Sequence, residues 1–271
     1  MSENLSANRD LRFEFGRNWQ SFVRRNLNDE RVGIARDHIL SFLKRNTLNG
    51  LDFLDIGCGS GINSAAARSA GAGRIFSFDY DPNSVAATEL VRTRIADSGN
   101  WQVRRGDVLD DDFIQSLGKW NFVYSWGVLH HTGDVWRAID NASKAVADGG
   151  LFYIALYSAD MEPNPDFWLR IKREYNQGSS WKKRRMVWWY VWNHMLHQNV
   201  RQIPSFISRT MHYRRSRGMS MFVDIRDWLG GWPMEYTHDA DVVAFLGKRG
   251  FILENMKTGE ANTEFSFVKQ S

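Results

Sequence analysis

Between residues 51 and 157, short apolar runs alternate with stretches in which apolar residues recur at helical spacing. The short runs predict strands at 51–56, 74–79, 101–106, 120–126 and 151–157. The stretches between them predict helices near 61–70, 82–97 and 134–147. This alternation is typical of a parallel sheet covered on both faces, and right-handed crossovers then produce a doubly wound α/β sheet.

The two ends of the chain carry different patterns. Near the start, Leu11, Phe15, Trp19, Phe22 and Val23 follow helical spacing, and a second helix is expected to begin near Asp29, a plausible N-cap. At the other end, the pattern predicts a helix over 239–249 and strands over 251–257 and 263–269, joined across Gly259. These two strands are expected to add a hairpin to the sheet edge.

Residues 158–235 have no clear periodicity and are rich in Trp, Arg and Met. We therefore expect four parts in the chain. An N-terminal helical lid covers residues 1–47, and a cofactor-binding core covers 48–157. A helical insertion that caps the substrate covers 158–235, and residues 236–271 complete the core.

Composition narrows the class of protein only modestly. Hydrophobic residues make up 43% of the 271 residues and charged residues 24%, as in ordinary globular proteins. No run of about 18 uncharged apolar residues predicts a membrane-spanning helix, and no signal-peptide pattern opens the chain. A net charge of +4 does not require a nucleic-acid partner.

Cysteine and metal-ligand patterns add further limits. Cys58 is the single cysteine, which excludes an internal disulfide and a cysteine-based zinc site. A lone cysteine fits a reducing compartment, and we expect the protein to be cytoplasmic. The histidines and carboxylates show no metal-ligand spacing, so no metal is predicted.

The strongest motif is the segment 54–61, LDIGCGSG, at the turn from the first strand into a helix. Glycine allows a sharp bend and a close approach of backbone to ligand, and the helix that follows offers free N–H groups to a carboxylate. Gly57, Gly59 and Gly61 read G-x-G-x-G, whereas the dinucleotide fingerprint G-x-G-x-x-G requires glycine at 62, where this chain has Ile62. A nicotinamide enzyme is thus the weaker interpretation.

Two acidic residues follow the next two strands. Asp79 ends the second strand, where a carboxylate can accept hydrogen bonds from both hydroxyls of a ribose, or can simply form a turn. Asp107 follows Gly106 after the third strand. It is placed to accept an adenine amino group, or alternatively to cap a helix.

With these features the sequence resembles the class I S-adenosylmethionine-dependent methyltransferases. The matching segments are LDIGCGSG (54–61), FDYDP (78–82), GD (106–107) and YSWGVLHHTGD (124–134). The likeness is greatest to small-molecule enzymes of the ubiquinone/menaquinone-methylase type. It implies a Rossmann-like seven-stranded sheet with an antiparallel C-terminal hairpin and S-adenosyl-L-methionine as cofactor. It also implies cofactor contacts from Asp55, Gly57, Cys58, Gly59, Gly61, Asp79, Tyr80, Asp107, Val108 and Trp126.

Methyl transfer from a sulfonium mainly requires that the acceptor be positioned and water excluded. An oxygen acceptor usually needs a base as well, and His130 and His131 follow the fourth strand at its carboxyl end. At most one of them is expected to face the acceptor; the alternative is that an imidazole orders the loop. Trp126 on the same loop either walls the cofactor or packs on the sheet.

Several residues are candidates for contact with the acceptor, each with a purely structural alternative of packing or ion pairing. They are Trp19 on the N-terminal lid, Tyr157 at the end of the fifth strand, and Asp227, Trp232, Glu235 and Tyr236 in the loop 227–238. We expect methyl transfer to a small organic acceptor, at oxygen. The alternatives are an NAD-dependent oxidoreductase, a non-catalytic cofactor-binding module and an RNA methyltransferase.

The segment 181–192 is basic first and then almost wholly apolar. As a helix it is expected to be buried in the cap, to touch a membrane surface, or to form an oligomer contact. The basic clusters 182–185 and 213–217 are typical of a solvated helix face, so a nucleic-acid partner is not favoured.

Overall fold

In the computed structural model, which describes residues 16–94, 99–217, 221–259 and 261–271, a seven-stranded sheet has the order β3-β2-β1-β4-β5-β7-β6. The strands are β1 (Phe53–Ile56), β2 (Ile75–Asp79), β3 (Trp101–Arg105), β4 (Trp120–Trp126), β5 (Val146–Tyr157), β6 (Phe251–Thr258) and β7 (Asn262–Lys269). Strands β1 to β5 are parallel, and β7 is antiparallel to both β5 and β6. The predicted Rossmann-like sheet with its C-terminal hairpin is confirmed.

Helices cover the sheet because its strands are apolar on both sides. Phe53, Leu54 and Ile56 of β1 are all fully buried, as expected for a central parallel strand. The helices of the core are α1 (Gly16–Asn26), α2 (Asp29–Phe42), α3 (Ile62–Ser69), α4 (Pro82–Arg94), α5 (Asp111–Ser116), α6 (Val135–Lys144) and α11 (Asp239–Gly247). Helix α5 was not predicted; Asp110 caps it by accepting a hydrogen bond from the Phe113 N–H at 3.0 Å.

One predicted boundary is wrong. The helix expected over 134–147 ends at Lys144, and β5 begins at Val146 rather than at 151. The Trp120 N–H donates to the Ala145 carbonyl at 2.8 Å, so the chain is drawn into the sheet directly after the helix. Gly149 then adopts a φ of +69°, which leads the strand through an irregular register before Leu151.

The N-terminal helices are fixed to the core by polar contacts. Leu11 and Phe15 lie outside the described residues. The Gly16 N–H, at the start of α1, donates to Asp81 Oδ2 at 2.8 Å, and Arg94 donates to the Val23 carbonyl at 3.2 Å. Asn28, and not Asp29, caps α2 by accepting from the Arg31 N–H at 2.9 Å.

Residues 166–233 belong to a second compact unit, distinct from the unit that contains the sheet. Its sequence lacks a clear periodicity, yet it folds into helices α7 (Pro165–Gln177), α8 (Ser180–Tyr190), α9 (Ile203–Arg217) and α10 (Met221–Gly230). We call it the helical unit. Its buried cluster includes Trp168, Tyr175, Val187, Ile225 and Leu229. In α7, Phe167, Trp168, Ile171 and Tyr175 of this cluster recur at helical spacing, a pattern that sequence reasoning missed.

Segment 181–192 is not buried all round. Val187 and Val191 are buried, but Trp181 is 66% exposed, Trp188 61% and Trp192 41%. Burial in the cap, one of the three alternatives for this segment, is therefore wrong for these three tryptophans, while contact with a membrane surface or in an oligomer stays a prediction. Within the described parts of the chain, no helix is both long and apolar enough to cross a bilayer.

Candidate functional site

The glycine-rich turn joins β1 to α3 with Gly57, Gly59 and Gly61 at φ values of +77°, +52° and +77°. A Cβ at Gly57 would lie 2.3 Å from a methyl carbon of Val128, and one at Gly61 would lie 2.8 Å from the backbone of Thr88. A side chain is therefore excluded at both positions by space as well as by conformation. The turn is therefore tight, and α3 begins directly after Gly61.

Asp79 connects this turn to the tip of β2. Its Oδ2 accepts from the Gly59 N–H at 3.0 Å, and its Oδ1 accepts from the Asp81 N–H at 2.9 Å. A carboxylate has about four lone-pair sites and can accept from several donors at once. The structure thus brings Asp79 and Gly59 together, as the motif predicts.

Asp55 lies beneath the turn and is almost fully buried. Its Oδ2 accepts a hydrogen bond from Ser64, which also contacts Ser77 Oγ at 2.7 Å. Burial raises the pKa of Asp55 to about 7, an effect that the hydrogen bond from Ser64 partly opposes. The position supports the turn, and direct contact of Asp55 with a cofactor stays a prediction. Sequence reasoning missed Ser64, which lies one helical turn after Gly61.

Cys58, in the middle of the turn, is also buried. Its N–H donates to the Phe78 carbonyl at 3.0 Å, and the Thr88 hydroxyl donates to its Sγ at 3.2 Å. Burial, with the nearby Asp79 and Asp55, raises the pKa of the thiol well above its usual range. The thiol is therefore protonated at neutral pH. The Cys58 carbonyl also accepts from the Gly61 N–H at 2.8 Å, so this residue holds the turn in shape, and its contact with a cofactor stays a prediction.

Asp107 follows β3 and does not cap a helix. Its Oδ1 accepts from the Leu109 N–H at 2.9 Å, which leaves its Oδ2 without a bond in the structure as described. Val108 is buried, and its carbonyl accepts from Asn141 at 3.0 Å. Tyr80 is exposed, with the Arg105 guanidinium 5.5 Å from its ring centre. Tyr80 follows β2 and Asp107 follows β3, so both lie at the carboxyl ends of neighbouring parallel strands, as the glycine-rich turn does after β1.

Trp19 on α1 lies beside the glycine-rich turn. A Cβ built on Gly59 would lie 3.4 Å from the indole nitrogen of Trp19, which is ordinary van der Waals contact. The Trp19 ring also packs edge-on against Phe22, with centroids 6.0 Å apart. The structure therefore places this predicted substrate residue against the predicted cofactor turn.

His130 and His131 lie in a short 3₁₀ turn after β4, but in different surroundings. His130 is buried, and its Nδ1 accepts from the Tyr157 N–H at 3.3 Å, while its carbonyl accepts from the Glu235 N–H at 2.9 Å. His131 is half-buried, with its ring edge-on to Tyr157 at 5.6 Å. His130 thus orders the loop, and His131 has the greater access to an incoming molecule.

Glu235 and Tyr236 belong to the same unit as these histidines. The ring centres of Tyr236 and Tyr157 are 6.0 Å apart. Burial raises the pKa of Glu235 to about 7, an effect that hydrogen bonds from the Val135 and Gly133 backbone partly oppose. Its Oε2 is buried, and no hydrogen-bond partner for it exists among the residues that the structure describes. Asp227 and Trp232 lie in the helical unit, where Arg173 lies over the Trp232 ring at 5.2 Å.

Trp126, at the end of β4, contacts Glu264 of β7. The Glu264 carboxylate also lies 2.9 Å from His38 Nε2 and accepts a hydrogen bond from the Tyr153 hydroxyl. Burial alone would raise the pKa of Glu264, but hydrogen bonds from His38, Tyr153 and Trp126 hold it below its usual value. Trp126 is thus tied to the sheet, and a role in walling the cofactor stays a prediction.

Comparisons with known proteins agree with this arrangement. A family model for the methyltransferase domain matches residues 18–212. The chain is 27% identical over 141 residues to the ubiquinone biosynthesis O-methyltransferase of Rhizobium rhizogenes, covering 50% of this chain and 54% of that protein. It is 33% identical over 78 residues to the ribosomal protein L11 methyltransferase of Lachnospira eligens, covering 28% and 24%. The chain thus spans about half of these curated relatives or less.

The fold is shared with magnesium protoporphyrin IX methyltransferase from Synechocystis, solved with bound SAH. The TM-score is 0.52 at 15% identity, over 90% of this chain and 89% of the other. At that identity the likeness concerns the fold alone. The family model, however, spans more than half of the sequence. The chain therefore belongs to the methyltransferase domain family.

Proposed function

We propose that this protein transfers a methyl group from S-adenosyl-L-methionine to the oxygen of a small organic acceptor. The observation that carries the proposal is the bond of 3.0 Å between the Gly59 N–H and the Asp79 carboxylate. It joins a glycine-rich turn, in which Gly57 and Gly61 have no space for a Cβ, to an acidic strand end. This pairing suits a ligand that has a ribose and a carboxylate.

The residues at the carboxyl ends of the first strands fit the parts of that cofactor. Asp79 would accept from the ribose hydroxyls, and Asp107 from the adenine amino group. The first turn of α3, after Gly61, offers backbone N–H groups to the methionyl carboxylate. When bound, S-adenosyl-L-methionine supplies an electrophilic methyl group on a sulfonium.

Around the acceptor, we assign different tasks to the two histidines. His131 would remove the acceptor proton, because it is the more accessible imidazole and because His130 already orders the loop by accepting from the Tyr157 N–H. His130 accepts a hydrogen bond from the Tyr157 N–H and so fixes the backbone at the end of β5. Tyr157 and Tyr236 would form an aromatic wall that orients the acceptor and excludes water.

Calorimetric titration with S-adenosylhomocysteine tests the cofactor assignment, with NADH as the competing ligand. We expect saturable binding of S-adenosylhomocysteine and none of NADH. Absence of binding by the folded protein, or preference for NADH, would overturn the proposal. A panel of phenols, carboxylic acids and amines, read by release of S-adenosylhomocysteine, then tests the acceptor atom. Turnover confined to the amines would overturn the assignment to oxygen.

A further inference from the structure

The helical unit contains a cavity of about 510 Å³ between α8, α10 and the end of α7. All of its lining residues belong to this unit. The volume lies within the range of about 300–1,000 Å³ that is usual for small-molecule sites. Neither the glycine-rich turn nor the histidine loop contributes to it.

Three cationic side chains line this cavity: Lys183 and Arg184 from α8, and Arg226 from α10. Among the described residues, none of the three forms an ion pair with a carboxylate, whereas neighbouring Lys182 pairs with Glu174 at 3.4 Å. Arg185, also on α8, instead stacks on Trp181 at 4.7 Å. Three like charges around one cavity repel one another, and an anion between them would relieve that repulsion.

Aromatic side chains form the rest of the wall. The Trp188 and Phe222 rings meet edge to face, with centroids 5.6 Å apart. Buried Tyr175 lies on α7, and the Lys183 ammonium is 5.7 Å from its ring centre. Trp188 is largely exposed, so a ligand that covers it would bury a large apolar surface. Cations beside exposed aromatic rings match a molecule with an anionic head and an apolar body.

We propose that this cavity binds an amphiphilic anion. A phosphate or carboxylate group would be held by Lys183, Arg184 and Arg226, and an alkyl or aromatic body would lie against Trp188 and Phe222. Guanidinium groups bind such heads through paired N–H donors. Every group that the proposal uses lies in the helical unit.

Calorimetry with octyl phosphate, kept below its micelle concentration, tests both halves of the site. Inorganic phosphate supplies the head alone, and octyl glucoside supplies the chain without charge. We expect octyl phosphate to bind at least about tenfold more tightly than either, since both head and chain contribute. Equal affinity for octyl phosphate and octyl glucoside, or no binding of octyl phosphate, would overturn the proposal.

A pair of double variants separates the cavity from general attraction between the basic helix and anions. R184Q/R226Q removes two lining charges, and K182Q/R185Q removes two charges from outside the lining. We expect a loss of about tenfold or more in octyl phosphate affinity for the first and less than about twofold for the second. Equal losses would overturn the proposal. Thermal unfolding of both variants checks that each remains folded.

Vesicles distinguish a dispersed amphiphile from a lipid head group at a surface. The full chain is sedimented with phosphatidylglycerol vesicles and with phosphatidylcholine vesicles. Binding of octyl phosphate without sedimentation supports a dispersed ligand, and sedimentation that R184Q/R226Q abolishes supports the same site with a lipid head group. Sedimentation that both double variants reduce equally, without binding of octyl phosphate, would contradict the cavity.

Discussion

The Asp79 carboxylate accepts a hydrogen bond from the Gly59 N–H at 3.0 Å. The bond joins the end of one strand to the turn after the neighbouring strand, so the acidic residue shapes the glycine-rich turn. Asp79 also accepts from the Asp81 N–H, and Asp81 in turn receives the first N–H of α1. The N-terminal helix is thereby positioned through the same acidic segment.

Replacing Asp79 with Asn is expected to weaken S-adenosylhomocysteine binding by about tenfold or more, because the amide loses a charged acceptor where the ribose would bind. Titration calorimetry measures the affinity. Asp112→Asn is the matched control, since Asp112 is exposed on α5. An unchanged affinity in D79N, with the fold intact, would show that Asp79 has only a structural role.

Replacing Trp19 with Ala is expected to weaken cofactor binding about threefold to tenfold, since the indole lies beside Gly59, where a Cβ would come within 3.4 Å of its nitrogen, and would cover a cofactor held at that turn. Trp19→Phe should recover part of the loss. Trp181→Ala, which alters an exposed indole in the helical unit, serves as control. If W19A and W181A bind S-adenosylhomocysteine equally well, Trp19 contributes only to helix packing.

The sheet was predictable because its signal is local. In β1 and β2 the apolar runs are short and end at Gly57 and Asp79, so strand and loop were distinguishable from sequence. Strand order followed from the resemblance to a known family. The start of β5 was missed because Val146 enters the sheet only through pairing with Trp120, a contact that no local pattern encodes.

The site was predictable in its residues more than in their geometry. Motif spacing indicated Asp79, Asp107 and the glycines, which the fold brings to one end of the sheet. It did not indicate that Asp55 is bonded to Ser64, or that His130 is fixed by the backbone of Tyr157. Those facts depend on contacts between segments that are distant in sequence, and adjacent histidines look equivalent until such contacts are known.

The two histidines should respond differently to removal. His131→Ala is expected to lower kcat by about a hundredfold or more with KM little changed. His130→Ala is expected mainly to lower the melting temperature, because it removes a buried acceptor of the Tyr157 N–H. Steady-state kinetics and thermal unfolding of both variants measure this difference. Near-native turnover by H131A would exclude it as the base.

Lys172 in the helical unit donates to the Trp228 carbonyl and lies over the Trp228 ring at 4.0 Å. Burial lowers the pKa of this lysine to about 7, from 10.5. Between about pH 7 and pH 10.5, Lys172 is therefore protonated in the unfolded chain but largely neutral in the folded protein. The free energy of unfolding thus rises with pH over that range.

Lys172→Met should remove this rise, and Lys248→Met, at an exposed lysine, should retain it. Urea denaturation at pH 7 and pH 9 provides the comparison; parallel changes in all three proteins would contradict the assignment.

Glu235 should give the opposite dependence at lower pH. Burial raises its pKa from 4.5 to about 7, and Asp134 adds to the effect. A carboxyl with a raised pKa in the folded state contributes stability that is full below pH 4.5 and is lost as the pH rises towards 7. Glu235→Gln keeps the neutral shape and should flatten this loss, so its melting temperature relative to the native protein should increase from pH 4.5 to pH 7. Glu254→Gln, at an exposed position of β6, should leave the dependence of the melting temperature on pH unchanged. If E235Q and E254Q keep the same slope as the native chain, Glu235 is charged in the folded protein, and its carboxylate must then be stabilised by a group beyond the backbone N–H donors of Gly133 and Val135.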